Sequence, residues 1–592
     1  MKRGHIRKKM VNYLKSLLRL EYILGGIVAV LVCFLVIYPL VMLLYGAMRS
    51  VMPGAEGSMH LRNFAEAFSD LAVLNALKNT LLISVAVVIV SFLIAVPIVW
   101  IVTRTNTPGA KWLEILNLIP FLMSPFILGL AWATLANPTT GLVNVWLQTV
   151  FGFPPGLMDI YTPAGIIFCL TMYYVPYIYL FLVGSFKTMN PALEESARTC
   201  GATLFQTLFR ITLPLALPAI LASSFIVFVH CAGMFAVPGL LGMPKGFFVL
   251  SSKVYGYMRT YPVNYNMAAT VASVLLVISV LGVFIQNRIM GRRSYVTVTG
   301  KGFRPNIIDL GRWKYVTLTG NLLYLVIAAF LPIIALLLVA FSKFWSGKIN
   351  PTLFTLANFK YVLFDTRLTT QAIKNSLLLA FFAGGICLFL GLIVSYLTLR
   401  TRLFFRGFLD FIATVPVAIP GMVIAVGLLW AWIMFPPDVT LSLLGRRVTI
   451  PIPIYGTIYI LALGYITRYI PYGLRAVSAN LISISPELEE SARVCGASWL
   501  KMMRRILLRL LRPGLAAGWI FIFIYFVREL DISILLWNEE SVVIPVAIWN
   551  LMEEGTYGTM CAMALVEIGI IFLGILIFKL FVKGEIVNQA QG

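Results

Sequence analysis

Residues 191–202 read PALEESARTCGA, and residues 486–497 read PELEESARVCGA. The two segments are identical at ten of twelve positions and begin 295 residues apart. Matches at nearly the same offset continue on both sides of them, since ALKNTLL at 76–82 returns as AIKNSLL at 372–378 and VPY at 175–177 returns as IPY at 470–472. The chain is therefore an internal duplication, and each copy predicts one structural half.

Apolar sequence surrounds both copies. Hydrophobic residues make up 60% of the 592 residues, charged residues make up 12%, and the mean hydropathy is +0.92. Average soluble proteins have about 45–50% apolar and about 25% charged residues, so a soluble enzyme and a disordered scaffold are both excluded. Twelve runs are long enough to cross a bilayer as helices, at approximately 21–48, 77–102, 113–136, 163–186, 213–237, 267–287, 320–342, 375–399, 407–434, 452–474, 513–537 and 560–582.

The repeat divides these runs into two sets of six. We expect an all-α polytopic membrane protein with about twelve transmembrane helices, whose two six-helix halves form a parallel repeat and share one orientation. The predicted units are a basic N-terminal segment at 1–20, a first half at 21–290, a linker at 291–319 and a second half at 320–592.

The basic residues orient the predicted helices. Lys and Arg outnumber Asp and Glu by 46 to 23, and most of them lie in alternate connecting segments, beginning with the N-terminus. Because short loops rich in Lys and Arg stay in the cytoplasm, both termini, the segment at 1–20 and the linker are predicted to be cytoplasmic. This rule accounts for the positive charge, so no nucleic-acid partner is expected.

The sequence lacks the motifs that are typical of several kinds of protein chemistry. The seven cysteines show no CxxC spacing, so no disulfide framework and no metal site are predicted. No GxxxxGK[ST] motif occurs, so ATP is expected to be hydrolysed by another polypeptide. The predicted helices also lack the Ser/His or His/Glu pairs that an intramembrane enzyme would need.

The duplicated polar segment falls on the predicted cytoplasmic side of both halves. Pro191 near its start and the glutamates that follow suit the N-terminus of a short helix. Folding in a membrane does not require the same polar helix in both halves, whereas a twofold-symmetric cytoplasmic partner does. The alternative is a solvated connecting helix that was kept by duplication.

These two segments resemble the EAA loops of ABC importer permeases. The corresponding residues are Glu194, Glu195, Ala197 and Gly201 in the first copy and Glu489, Glu490, Ala492 and Gly496 in the second. In that family the loop docks into the ATP-hydrolysing subunit. The resemblance therefore implies two permease halves in one chain, two copies of a separate ABC ATPase that carries ATP and Mg²⁺, and an extracytoplasmic substrate-binding protein. It also implies a multi-pass, non-enzymatic transport subunit in the lipid bilayer of a prokaryotic cell membrane, with no cofactor of its own.

The fusion of two permease halves narrows the resemblance to the group that contains ferric-iron permeases. MFAVPGLLGMPKGFFVLSSKVY at 234–255 and FVRELDISILLW at 526–537 are similar to segments of that group. Ferric iron is therefore the expected cargo, and thiamine or a phosphonate is the alternative. A rival from another class is a secondary transporter driven by an ion gradient, which would need ionisable residues near the middle of the membrane.

Arg528, Glu529 and Asp531 are the densest charges within the predicted spans. A charge at membrane depth costs about 2.5–3.5 kcal/mol on insertion scales, so such residues face a partner or an aqueous path. Two interpretations remain open: the carboxylates contact a cation on the translocation path, or Arg528 and Asp531 neutralise each other at helical spacing. The tyrosines at 173, 174, 177 and 179 are interpreted as packing residues rather than as iron ligands.

Overall fold

The structure, a computed structural model, describes residues 20–290, 307–401, 403–434, 438–443, 446–451 and 454–590. The predicted basic segment at 1–20 therefore lies outside the described residues except for its last one, as do residues 291–306 of the predicted linker. The helices of the first half are α1 Leu20–Met48, α2 Arg62–Ser69, α3 Leu71–Arg104, α4 Ala110–Leu116, α5 Ile119–Leu122, α6 Pro125–Leu135, α7 Leu142–Phe151, α8 Pro163–Thr188, α9 Pro191–Thr199, α10 Leu204–Thr207, α11 Leu213–Gly233, α12 Ala236–Gly242, α13 Leu250–Arg259 and α14 Tyr265–Met290.

The second half repeats this order of elements. Its helices are α15 Trp313–Leu325, α16 Leu331–Ala340, α17 Ala357–Lys360, α18 Arg367–Leu378, α19 Gly384–Arg400, α20 Arg406–Thr414, α21 Gly421–Met434, α22 Ile458–Ile482, α23 Glu487–Val494, α24 Trp499–Met502, α25 Leu508–Val527, α26 Ser533–Leu536, α27 Ile544–Glu553 and α28 Tyr557–Ala590. Between α21 and α22 lies an antiparallel hairpin of β1 Asp438–Leu443 and β2 Arg446–Pro451, in which Asp438 pairs with Pro451. Short π-helical turns continue several of the long helices, as at Leu208–Thr212 and Met503–Leu507.

The long helices match the predicted membrane spans in position, with a lower count. By length and composition, the described residues contain nine helices that could cross a membrane, or up to eleven if each of two bent helix pairs is one span. Of the remaining predicted run, 452–474, the residues from Ile458 onward lie on α22, a helix of 25 residues that contains Arg468 and Arg475. These arginines lower the mean hydropathy of α22, and the count by length and composition leaves this helix out.

The two bent pairs are the third span of each half. Predicted run 113–136 consists of two helical segments, Ala110–Leu122 and Pro125–Leu135, that meet at 89°, and run 407–434 consists of Arg406–Ala418 and Gly421–Ile433, which meet at 110°. Each break lies next to a proline, Pro125 or Pro420, and the residue before it is extended, with ψ of 150° at Ser124 and 120° at Ile419. Proline disfavours helical backbone at the preceding residue, so both runs turn sharply instead of continuing as one helix.

The first helix of each half packs against the bent span of the other half. Helix α1 contacts α21, and α16 contacts α6. The hydroxyl of Tyr38 on α1 donates to the carbonyl oxygen of Ala431 on α21 at 3.2 Å. The two halves are therefore interlocked rather than merely adjacent.

Equivalent polar contacts recur in the two halves. The side-chain amide of Asn63 donates to the carbonyls of Ala47 and Arg49, at 2.9 and 2.8 Å. The corresponding amide of Asn358 donates to Ala340 and Ser342, at 2.8 and 2.9 Å. Since these contacts join the end of the first helix to the segment before the second, the duplication extends from sequence to local geometry.

Candidate functional site

A cavity of about 70 Å³ lies between the two halves. Both bent spans border it, through the start of α6 at Pro125 and through the residues that precede α21 at Pro416–Pro420. Helices α8 and α11 complete its wall on the first half, and α22, α25 and the residues after α25 complete it on the second half. A space enclosed by both copies of a parallel repeat is the expected place for a path across the membrane.

Tyrosines from both halves line this cavity. Tyr174 corresponds to Tyr469 in the duplication, and Tyr177 corresponds to Tyr472. The hydroxyl oxygens of Tyr177 and Tyr525 lie 2.7 Å apart and join the halves. The cavity is thus rich in hydroxyl groups, and its tyrosines at 469, 472 and 525 were missed by sequence reasoning, although the VPY and IPY repeat pointed to Tyr472.

The sequence analysis singled out four tyrosines, and three of them line the cavity. Tyr173, Tyr174 and Tyr177 face it from α8. Tyr179 is buried elsewhere, and its hydroxyl donates to the carbonyl oxygen of Glu114 at 3.4 Å. The interpretation as packing residues therefore fits Tyr179, whereas Tyr173, Tyr174 and Tyr177 also line the cavity between the halves.

Arg468 on α22 lies between the two carboxylates that follow α25. Its Nη1 is 2.8 Å from Oε1 of Glu529, and its Nη2 is 3.2 Å from Oδ2 of Asp531. Glu529 also accepts a hydrogen bond from the hydroxyl of Tyr469, and Asp531 accepts one from the backbone N–H of Phe235 in the first half, at 3.4 Å. Both carboxylates are therefore ion-paired with one arginine that sequence reasoning missed.

The structure does not show the pairing of Arg528 with Asp531, which was one of the two interpretations left open by the sequence. Helix α25 ends at Val527, so the three-residue spacing between the two side chains does not place them on one helical face. Instead, Nη1 of Arg528 donates to the carbonyl oxygen of Phe121 in the first half at 2.7 Å. Its guanidinium carbon lies 4.6 Å from the ring centre of Tyr525 and 5.0 Å from that of Phe121, within the range of cation–π attraction.

Histidine and acidic side chains are too dispersed here to form a metal-binding cluster. Among the residues that the structure describes, no group of three or more His, Cys, Asp or Glu side chains could hold a metal ion. His230 lines the cavity, but the carboxylates beside it are engaged by Arg468. The arrangement suits contact with a polar solute through hydroxyl and guanidinium groups.

One further buried carboxylate was missed. Glu567 on α28 is fully buried, and it lies within electrostatic range of Arg528. The predicted spans therefore contain an ionisable group beyond the cluster at 528–531. Sequence reasoning missed it because it gave little weight to single charges inside long apolar runs.

The duplicated polar motif forms helices α9 and α23. Each helix ends at a glycine in the left-handed conformation, with φ of +87° at Gly201 and +76° at Gly496. The N–H after each glycine donates to the carbonyl of the motif alanine, to Ala197 at 3.0 Å and to Ala492 at 2.9 Å. This turn explains the two glycines physically, since side chains other than hydrogen are strained at such a φ.

One glutamate of each motif contacts the protein's own membrane helices. Arg104 at the end of α3 lies 3.0 Å from Oε2 of Glu194, and Arg400 at the end of α19 lies 3.1 Å from Oε1 of Glu489. Both arginines also donate to the carbonyl of a residue on the helix before the motif, at 2.9 and 2.8 Å. These buried ion pairs fix α9 and α23 at corresponding positions of the two halves. The match between TRT at 103–105 and LRT at 399–401 was their sequence signal.

The other glutamate of each motif is exposed. Glu195 and Glu490 both lie on the solvent-facing side of their helices. The two short helices thus present equivalent exposed carboxylates, while the adjacent Glu194 and Glu489 hold the helices in place through their ion pairs. Such a pair of surfaces suits a partner with two equivalent binding sites.

Comparison with known proteins identifies a family in each half. The family described as binding-protein-dependent transport system inner membrane component matches residues 71–295 and again residues 387–586. These two ranges contain α9 and α23 with their exposed glutamates.

Three curated relatives illustrate the range of similar proteins. The ferric transport system permease protein FbpB of Actinobacillus pleuropneumoniae is 27% identical over 570 residues, which cover 95% of this chain and 79% of the relative. A protein of Haemophilus influenzae, provisionally named ferric transport system permease protein FbpB 1, is 30% identical over 75% of this chain and 67% of its own length. The sulfate transport system permease protein CysT of Escherichia coli is 26% identical over 44% of this chain and 89% of its own length.

Proposed function

Because the chain belongs to the family of binding-protein-dependent transport system inner membrane components, we propose that it imports ferric iron as the membrane subunit of an ATP-driven transporter. The chain is an ABC importer permease of the fused two-half type and not an enzyme. It is a multi-pass protein of the inner membrane. The cargo, the number of ATPase subunits and the orientation of the termini are the parts of this account that we propose.

The observation that carries the proposed mechanism is the cavity between the halves. It is enclosed by the bent span of each half, and each half also carries one short helix with an exposed glutamate. A change in the distance between α9 and α23 would move both walls, because Arg104 and Arg400 tie these helices to α3 and α19, which pack against the wall helices α8 and α22. We therefore propose that the halves rock around the cavity and open it to one side at a time.

Two ATPase subunits are the proposed source of this movement. Glu195 and Glu490 are exposed at corresponding positions, so two identical subunits could each bind one of them. ATP and Mg²⁺ would be bound by those subunits, and their closure would draw α9 and α23 together. In this proposal both helices, the linker and both termini lie in the cytoplasm.

Delivery of the cargo is proposed to occur from the opposite side. The family name includes a binding protein, and we propose that such a protein docks at the extracytoplasmic surface and releases its cargo towards the cavity. The boundaries 21–290 and 320–592 are proposed for the two halves that it would bridge.

Ferric iron is favoured by the extent of the similarity. The relative named for ferric transport aligns with 95% of the chain, whereas the relative named for sulfate aligns with 44%. Thiamine, a phosphonate and sulfate are therefore the next candidates.

Uptake of ⁵⁵Fe(III) by iron-starved cells tests the cargo. In a strain without other iron importers, we expect uptake to disappear when the gene is deleted and to return with the intact gene. Unchanged uptake would contradict ferric iron as the cargo and leave the permease assignment in place. Uptake that follows an ion gradient and persists when ATP is depleted would instead support a secondary transporter.

A further inference from the structure

Arg528 is buried without a carboxylate partner. Its relative exposure is 6%, and its Nη1 is occupied by the carbonyl of Phe121. Its Nη2 is buried and has no hydrogen-bond partner in the described part of the chain. A buried charge is costly unless it is paired, so this guanidinium has capacity for one more acceptor.

The neighbouring carboxylates do not supply that acceptor. Glu529 and Asp531 are both engaged by Arg468, at 2.8 and 3.2 Å. Glu567 is within electrostatic range, yet no carboxylate of the described residues lies within 4.0 Å of Arg528. Arg528 thus lines the cavity, and its Nη2 has no hydrogen-bond acceptor among the described residues.

Two helix N-termini meet the same cavity. Helix α6, of 11 residues, begins at Pro125, and helix α21, of 14 residues, begins directly after Pro420; both prolines line the cavity. The N-terminus of a helix carries a partial positive charge and favours anions. Half-helices that begin at mid-membrane serve this purpose in other transporters.

A phenol hydroxyl adds an uncommitted donor. The hydroxyl of Tyr174 is buried, lines the cavity and has no partner among the described residues. A hydroxyl and a guanidinium are the groups that bind the oxygens of carboxylate, phosphate or sulfate groups. The volume of about 70 Å³ admits one small group of this kind.

We infer that Arg528, Tyr174 and the N-termini of α6 and α21 form a binding site for a small oxyanion on the translocation path. This inference deepens the proposed function and rests on it only for the position of the site on the path. A metal cargo would then pass this point as a complex with an oxyanion ligand, and not as a bare cation.

Equilibrium binding to the purified full chain in detergent tests this site. The probes are ³³P-labelled phosphate, which represents a free oxyanion, and ⁵⁵Fe-citrate, which represents a metal-bound one. We expect saturable binding of at least one probe and about tenfold to a hundredfold weaker binding after R528Q, because a hydrogen bond to a charged group is lost. The matched control is R62Q, since Arg62 is 78% exposed and pairs only with Glu66 on α2.

The outcomes distinguish this inference from the proposed cargo. Binding of phosphate alone would indicate a free oxyanion as the ligand, whereas binding of ⁵⁵Fe-citrate alone would indicate a metal-bound one. Absence of saturable binding to a correctly folded wild-type chain, or equal binding by R528Q, would overturn the inference. If R528Q does not fold, R528K decides, because it keeps the charge and loses the planar fork: we expect about tenfold weaker binding, and unchanged binding would contradict the site. The ⁵⁵Fe(III) uptake assay in cells remains a separate test of the cargo.

Discussion

Arg468 forms ion pairs with both carboxylates that line the cavity. One guanidinium contacts Glu529 and Asp531, whose side chains are 4% and 8% exposed. Asp531 also receives the backbone N–H of Phe235, so the pair of carboxylates connects the second half to the first. Arg468, Glu529 and Asp531 form an ion-paired group, which therefore connects the two halves and is also part of the cavity wall.

Removal of this arginine alone is expected to be costly. In R468M the two carboxylates would remain buried without their partner, and the loss should be about 3–5 kcal/mol of unfolding free energy. The measurement is the thermal unfolding of the purified full chain in detergent.

The triple variant R468M/E529Q/D531N is the control for this effect. It removes all three charges of this ion-paired group, so most of the lost stability should return, because neither carboxylate is left charged without its partner. A single variant R468M that unfolds at the wild-type temperature would contradict the account of the ion-paired group.

Sequence reasoning found three of the four charged residues that line the cavity. Glu529 and Asp531 stand out because they follow an apolar run, and Arg528 was found with them. Arg468 lies about 60 residues earlier on another helix, and its pairing depends on how α22 and α25 pack. Local spacing contains no information on that packing, so the Arg528–Asp531 pair was predicted in its place.

At the scale of single elements, close helix packing depends on glycine. Gly391 lies where α19 crosses α22, and a Cβ atom there would lie 2.7 Å from the backbone carbon of Gly473 and from the backbone nitrogen of Leu474. Small residues at crossing points let membrane helices approach closely. Backbone atoms cannot move aside as a flexible side chain can, so this site has no room for a methyl group.

Gly391→Ala is expected to destabilise the chain. Forced separation of α19 and α22 should cost about 1–3 kcal/mol, the usual range for overpacking. The readout is the midpoint of thermal unfolding in detergent.

Gly385→Ala is the matched control on the same helix. A Cβ atom at Gly385 would meet nothing within 4 Å, so this variant should unfold as the wild type does. Equal loss of stability in both variants would contradict the account of the crossing, because Ala favours a helix over Gly and meets no neighbouring atom at position 385.

The bent spans were only partly predictable. Pro125 and Pro420 mark both bends in the sequence, but a proline is also tolerated within a single membrane span. The observed angles of 89° and 110° require each segment to pack against a different neighbour, which no single run of residues specifies. Helices α9 and α23 were predicted more completely, because their caps and charges are local in sequence and occur twice.

At the scale of the whole molecule, the internal duplication is the main feature of the architecture. Its sequence matches predicted two equivalent halves, and the polar contacts of Asn63 and Asn358 repeat in space. The exchange of first helices between the halves was not predicted, because the helices that meet, α1 with α21 and α16 with α6, lie hundreds of residues apart in the sequence.

The orientation of the chain can be tested with its own cysteines. Cys200 and Cys495 are exposed at the ends of α9 and α23, whereas Cys169, Cys231, Cys387 and Cys561 are buried. A membrane-impermeant maleimide should therefore label the chain in inside-out vesicles and leave it unlabelled in intact cells.

The variant C200S/C495S is the control, and it should lose the label in the vesicles. Vesicles should come from cells that express the chain without an ATPase, so that both cysteines stay accessible. Labelling of Cys200 or Cys495 in intact cells would reverse the proposed orientation.

The most direct test of the central claim is the amount of ATPase that copurifies with the chain from its own membranes. The wild-type chain should carry two ATPase subunits, and E195R/E490R should carry at least about tenfold less, because both exposed carboxylates become repulsive. The variant E539R/E540R changes two exposed glutamates in the segment that contacts Asn375 of α18, at the predicted outer side, and should keep both subunits. Correct membrane insertion is checked for each variant by the amount of chain in the membrane fraction. An unchanged ATPase ratio in correctly inserted E195R/E490R, or a wild-type chain that carries no ATPase, would contradict the claim that two equivalent helices couple this permease to ATP hydrolysis.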